Sequence, residues 1–325
     1  MNLRSILEKV ALLAGSLLFC FVIFEFIVFK YILNTSDNLA NTSINNIVRF
    51  EPNTNARLYE PDGTSHTIEI NEQGWNSTKK SYQEEKTEGA LRIAVIGDSY
   101  VQASAVNTSE AFAEVIEQEL NKQGHKSEVY RFGIDGAPHT QYLYMLRNEV
   151  LKYNPDIVVV QLIHNDFDES YRFLYGRYSS SFMKVNLEGD KIKEVNPEPY
   201  IPGWVDTFKN YRTFRFIYYQ TGLSLYVRRL INLTKDEEVK ETKAPKHGFI
   251  QSAIDVRNIT ELEKIKKATN YTLNEIKKLS AKHGFKLLVT MDPVREAVYS
   301  GSPAEEYEAN QLNIIAKEAT DKYNI

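Results

Sequence analysis

From Leu91 onward the chain alternates short apolar runs with amphipathic stretches. The apolar runs are "LRIAVIG" (91–97), "SEVYRFG" (127–133), "PDIVVVQLIHND" (155–166) and "FKLLVTMDP" (285–293). The first and third are nearly continuous in Ile, Val and Leu, as a strand buried on both faces requires. Between the runs, "SEAFAEVIEQELNKQG" opens at Ser109 and stops at Gly124 with helical spacing. "TQYLYMLRNEVLKY" aligns Leu143, Leu146, Val150 and Leu151, and "TELEKIKKATNYTLNEIKKLSAKHG" makes a long helix with a lysine-rich outer face. "SPAEEYEANQLNIIAKEATDKY" predicts a last helix capped by Ser302, with Pro303 at its first position. Strands alternating with helices predict an α/β fold: a parallel sheet covered on both faces, with strands near 91–97, 127–133, 155–163 and 285–291.

The amino terminus follows a different pattern. "VALLAGSLLFCFVIFEFIVF", Val10 to Phe29, has the length of one membrane-spanning helix and predicts a span over about residues 8–30. Glu25 is the single charge inside it, near one end. Arg4 and Lys9 precede it, which orients the amino terminus inward and the body outward. The alternatives are a cleaved signal and a buried soluble helix. A lipoprotein signal fails because Phe19 stands before Cys20, where a small residue is needed, and no A-x-A site follows promptly.

These patterns divide the chain into an anchor (1–33), a spacer with a hairpin (34–90) and a catalytic-type domain (91–325). Residues 34–55 are rich in Asn, Thr and Ser and read as the spacer, and 77–90 read as a polar linker. Between them, "ARLYEPDGTSHTIEI" predicts two short strands around Pro61-Asp62-Gly63. Residues 171–256 interrupt the strand–helix rhythm and are dense in aromatics, as in "NPEPYIPGW" and "NYRTFRFIYYQ". They read as an insertion after the third strand, serving as a lid or substrate-binding subdomain, or as a satellite core.

Charge and composition exclude several functions. The 325 residues carry 39 Lys and Arg against 43 Asp and Glu, a net charge of −4, so nucleic acid is not an expected partner. One cysteine and six histidines, without an HExxH pair, supply neither a disulfide framework nor a Cys-based zinc site. His139, His164, Asp98 and Asp166 stand at strand ends but lack the D-x-H and GNH-type groupings of metallophosphoesterase-like sites, so no metal is expected. "GDSYVQA" lacks the G-x-G-x-x-G of a dinucleotide site and the lysine of a phosphate loop, so no organic cofactor is expected either.

What stands at the strand ends suits acyl transfer. That chemistry needs a hydroxyl nucleophile, a base for its proton, and donors aimed at the tetrahedral oxyanion. Strand one ends in Gly97-Asp98-Ser99, strand two in "GIDGAPHTQ", strand three in His164-Asn165-Asp166. Ser99 offers the hydroxyl, a glycine N–H can approach an oxyanion closely, and the Asn165 amide adds a second donor.

These blocks resemble the SGNH (GDSL-like) hydrolases of the membrane-anchored, bacterial-envelope type. "IGDSY" resembles the first block with Ser99, "FGIDGAPHTQYLYML" the second with Gly136, and "VVVQLIHNDFDE" the third with Asn165. The likeness is strong over about residues 91–170 and covers 259–325 only as fold. It implies a three-layer α/β/α flavodoxin-like parallel sheet in the order 2-1-3-4, with a fifth position empty. It also implies serine esterase, deacetylase or O-acyltransferase chemistry on an ester, commonly acetyl groups of an envelope or exported glycan. A membrane acyltransferase is a candidate partner.

The fourth block, D-x-x-H, is not found. Asp292 has no histidine three residues on, and His283 lies before the fourth strand, at the wrong edge of the sheet. His139 and His164 read as scaffold residues rather than substitute bases. The expectation is a carboxyl end beyond Ile325 that carries the base. The rival is a non-catalytic glycan-binding or assembly scaffold on a degenerate version of the fold.

Overall fold

The computed structural model describes residues 3–60, 63–172, 179–189, 191–220, 259–292 and 310–325. The chain divides into two compact units. One comprises Met1–Ala40, Ala56–Thr67 and Pro202–Lys240; the other comprises Asn41–Asn55, Ile68–Ile201 and Glu241–Ile325.

The first unit contains α1 (Leu3–Ile23), which continues as a π-helix through Phe24–Ile32. Together they form a 30-residue helix, long and apolar enough to cross a membrane. Arg4 pairs with Glu8 at 3.1 Å near its start. β1 (Asn41–Ile44) and β2 (Ile47–Phe50) fall in the larger unit, and the expected hairpin is β3 (Asn55–Tyr59) with β4 (Ser65–Glu69), a two-stranded sheet around Gly63.

The larger unit is built on four parallel strands: β5 (Leu91–Gly97), β6 (Ser127–Gly133), β7 (Ile157–Leu162) and a last strand at Lys286–Met291. Its spatial order is last strand, β7, β5, β6, which is the 2-1-3-4 arrangement the sequence predicts. Period-two alternation explains the double burial of β5. Ile93 and Val95 face a cluster with Val101, Ala113 and Val129, while Ala94 and Ile96 face the main core. A short α2 (Ser99–Gln102) leaves β5, and α3 (Phe112–Lys122) covers the first face through Ala113, Ile116 and Leu120. The main core takes Leu143 and Leu146 of α4 (His139–Asn148).

Two segments read as polar connections are packed into this unit. β1 and β2 pair antiparallel, and Ile47 and Val48 enter the main core. Arg49 forms a buried pair with Glu149 at 3.1 Å and lies over the Trp75 ring at 4.5 Å. In the stretch 77–90, Tyr82 stacks on Tyr130 at 4.2 Å between ring centroids. Buried Arg92 bonds the carbonyls of Glu84 (3.0 Å) and Glu85 (2.8 Å) and the carboxylate of Glu128. One aromatic ring and one guanidinium therefore hold an otherwise polar stretch against the sheet.

Within the span read as an insertion, β8 (Lys184–Glu188) and β9 (Lys191–Val195) form an antiparallel hairpin. α5 (Trp204–Phe208) and α6 (Arg212–Arg215) belong to the first unit. The long helix α7 (Ile259–His283) matches the expectation and ends before Gly284, at φ +79°. β10 (Lys286–Met291) is the last strand and α8 (Gln311–Tyr323) the last helix. The expected cap at Ser302 and Pro303 lies outside the described residues.

Candidate active site

The sheet register aligns the three candidate loops. Gly97 of β5 pairs with Gly133 of β6, and Ile96 pairs with Val160 of β7. Ser99, Gly136 and Asn165 therefore follow the carboxyl ends of three adjacent parallel strands, where open α/β sheets bind ligands.

Ser99 begins α2. Asp98 caps that helix by accepting from the Tyr100 N–H at 3.0 Å, and the Ser99 hydroxyl donates to Asp98 Oδ2 at 3.0 Å. Ala103 ends the turn in the left-handed region at φ 52°. Two glycines make this tight exit possible. A Cβ on Gly133 would lie 2.0 Å from the Gln102 nitrogen, and one on Gly97 would lie 2.4 Å from Val101 Cγ2. Gly136 is different: no heavy atom lies within 4 Å of its absent Cβ, and its φ of +69° is what favours glycine.

Asn165 sits half-buried in a short 3₁₀ turn, His164–Asp166. The turn is pinned by Asp166, whose Oδ2 accepts from the Ile163 N–H at 2.8 Å. The Asp166 carbonyl accepts from the Ser170 hydroxyl at 2.8 Å.

The acids beside the three candidates sense one another. Asp98 is fully buried, and burial pushes its pKa up to about 6, with Asp135 adding to the rise. Burial holds Asp166 well above the usual carboxylate range, and Asp98 raises it further. Buried Tyr142 of α4 lies beneath both and is itself raised, by burial first and then by these two acids. Neither the Tyr142 hydroxyl nor Asp166 Oδ1 makes a hydrogen bond of good geometry. Asp98, Tyr142 and Asp166 were not singled out as a set by the sequence; Asp98 and Asp166 directly flank Ser99 and Asn165, whereas Tyr142 has no such local signal.

The sign of the Asp98 effect gives a test. Its folded pKa, about 6, exceeds the ordinary 3.8, so its contribution to stability is full below pH 3.8 and is lost as pH rises through 6. Asp98→Asn keeps an acceptor for the Tyr100 N–H and removes the buried charge. The variant is expected to gain up to about 3 kcal/mol over the parent at pH 8 and close to nothing at pH 4. Denaturant unfolding at the two pH values measures this, and an equal gain at both would show that Asp98 carries no buried charge.

The two nearby histidines are engaged elsewhere. His139 Nδ1 lies 3.1 Å from the Thr272 hydroxyl, and burial pushes its pKa down to about 3, so it stays neutral. Asn313 donates its amide to the Asp292 carbonyl at 3.1 Å, which turns its oxygen toward His164 Nε2 at 2.8 Å. His164 Nε2 therefore carries a proton and donates it to Asn313. Burial lowers the His164 pKa. The Ser99 hydroxyl is bonded to Asp98 and to neither histidine. Among the described residues, no three His, Cys, Asp or Glu side chains are grouped to hold a metal ion.

The described residues place a serine, a glycine and an asparagine after the ends of three adjacent strands of a parallel α/β sheet. The chain is similar to solved structures of SGNH-hydrolase and GDSL-type esterases. TesA shares 12% identity over 72% of this chain and 75% of that one, with a TM-score of 0.36. The acetyl xylan esterase AlAXEase shares 15% over 72% and 74%, with a TM-score of 0.36. AlinE4, an SGNH-hydrolase family esterase, shares 11% over 74% and 75%, also at 0.36. No protein-family model matches the chain, and no curated protein does.

Proposed function

We propose that the chain is a membrane-anchored serine ester hydrolase or O-acyltransferase, with Ser99 as nucleophile and the Gly136 N–H and Asn165 amide as oxyanion donors. The observation that carries this reading is the register of β5, β6 and β7, with the mutual influence of Asp98, Asp135 and Asp166 beside the three candidates. Ser99 Oγ attacks the acyl carbon and its proton passes to a base. The carbonyl oxygen becomes an oxyanion held by the two donors, and the alcohol leaves to give an acyl-enzyme. Water then releases an acid, or a sugar hydroxyl takes the acyl group. His139 and His164 are committed to Thr272 and Asn313 and are not proposed as that base.

The proposed substrate is an acetyl ester of an envelope or exported glycan, a reading that joins the motif resemblance to the apolar helix. The body is placed on the outer side of the membrane, so protease added to intact cells is expected to remove it; protection until lysis would reverse the orientation.

The Asn165 amide acts mainly in the transition state. Asn165→Ala is expected to lower kcat by about two to three orders of magnitude with little change in KM. Steady-state kinetics on an acetyl ester measure the split. A rise in KM at unchanged kcat would instead make Asn165 a ground-state binding residue.

A further inference from the structure

The first unit carries a feature that ester chemistry leaves unused. Glu25, the one charge within the apolar stretch 10–29, is buried against the start of α6. Its carboxylate accepts from the N–H groups of Arg212 and Thr213, both at 2.8 Å, and from the Thr213 hydroxyl at 2.9 Å. A second contact lies one turn nearer the amino terminus, where the Phe21 and Tyr211 rings meet at 5.9 Å. Farther along, Phe29 packs on Phe216 at 4.5 Å. The segment carrying α5 and α6 is thus fastened to the carboxyl-terminal third of the apolar helix.

Most of the large apolar side chains that this segment exposes are aromatic. Trp204 is 69% exposed, Phe208 47% and Tyr211 45%. Trp204 and Phe208 lie four residues apart, on one face of α5, with ring centroids 6.1 Å apart. The polar groups of the same helix turn to each other instead, Lys209 bonding Asp206 at 3.0 Å.

Depth along the helix places these rings. Lys9 and Glu25 are about 24 Å apart along the axis, at roughly 1.5 Å per residue. Lys9 can reach outward along its stem, so the two charges bracket a hydrocarbon layer of about 30 Å. Glu25, with its three donors, then stands at the boundary, and Tyr211 beside Phe21 stands just inside it. Trp and Tyr favour that level because their rings are amphipathic.

We infer that residues 202–220 make a second membrane contact, with α5 and α6 lying in the headgroup–acyl boundary beside the spanning helix and Trp204, Phe208 and Tyr211 in lipid. The occupant of this aromatic face is the bilayer itself. The inference rests on the reading that the apolar helix spans a membrane.

The test separates the two. The chain has two tryptophans and one cysteine. Trp75 is buried, so lipid quenchers reach only Trp204, and Cys20 is exposed on the apolar helix. The full chain, labelled with bimane at Cys20, is placed in phosphatidylcholine vesicles containing lipids brominated either near the headgroup or near the chain end. Chain-end bromines should quench bimane. Headgroup-side bromines should quench tryptophan emission more than chain-end bromines do, and this loss should vanish in Trp204→Phe. Bimane quenching with tryptophan emission open only to aqueous iodide would overturn the interfacial contact and leave the anchor standing. Quenching of neither probe would overturn both.

Discussion

Ser99→Ala is expected to lower ester turnover by about three orders of magnitude or more, because it removes the only atom proposed to form the acyl-enzyme. The folded state should scarcely notice. Ser99 is half-buried at the start of α2, and its hydroxyl makes one bond, to Asp98. Asp98 keeps the Tyr100 N–H when that bond is lost. The stability change is expected to stay near 1 kcal/mol. The measurement is p-nitrophenyl acetate hydrolysis by the full chain in detergent, with a thermal melt beside it. An unchanged rate in a folded variant would remove Ser99 as nucleophile.

Gly133→Ala is expected to be the most damaging single methyl group in the sheet. Its Cβ would lie 2.0 Å from the Gln102 nitrogen and 2.4 Å from the Val101 carbonyl carbon, both backbone atoms of the helix that carries Ser99. Backbone cannot swing aside as a side-chain tip can. Either α2 lifts from the end of β6 or the strand end bends away. The expected loss is about 3 kcal/mol or more, seen as a fall in melting temperature, with loss of activity beyond that explained by unfolding. Gly136→Ala is the control. It meets no atom within 4 Å and bears only the left-handed backbone, at a cost of about 1–2 kcal/mol. If the two variants melt together, the close approach of α2 to β6 is not what demands glycine at 133.

The difference between these glycines shows where sequence reasoning stops. The text "FGIDGAP" offers two glycines of equal standing, and the motif resemblance selects Gly136. That Gly133 lies under α2 follows from the pairing of Gly97 with Gly133, a register no local pattern specifies. The histidines make the same point. His139 and His164 stand beside the right strand ends in the chain, yet Thr272 and Asn313, more than 130 residues later, decide that each is occupied.

The apolar alternation by itself determined the four parallel strands and the long helix after residue 258, because a doubly buried strand and an amphipathic helix each write a period into the chain, whereas the 2-1-3-4 order came with the motif resemblance. It also determined the apolar helix, whose length follows from composition alone. Tertiary structure alone decided the places of 34–55 and 77–90. Their polar composition reads as spacer, but Ile47, Val48 and Tyr82 carry them into the core, and Arg49 and Arg92 satisfy buried carboxylates and carbonyls there. It alone decided that the acids next to Ser99, Gly136 and Asn165 influence one another, and that Glu25 finds its donors in Arg212 and Thr213. Periodicity reports which face of an element is dry; which distant side chain meets a buried charge depends on contacts that only the folded chain brings together.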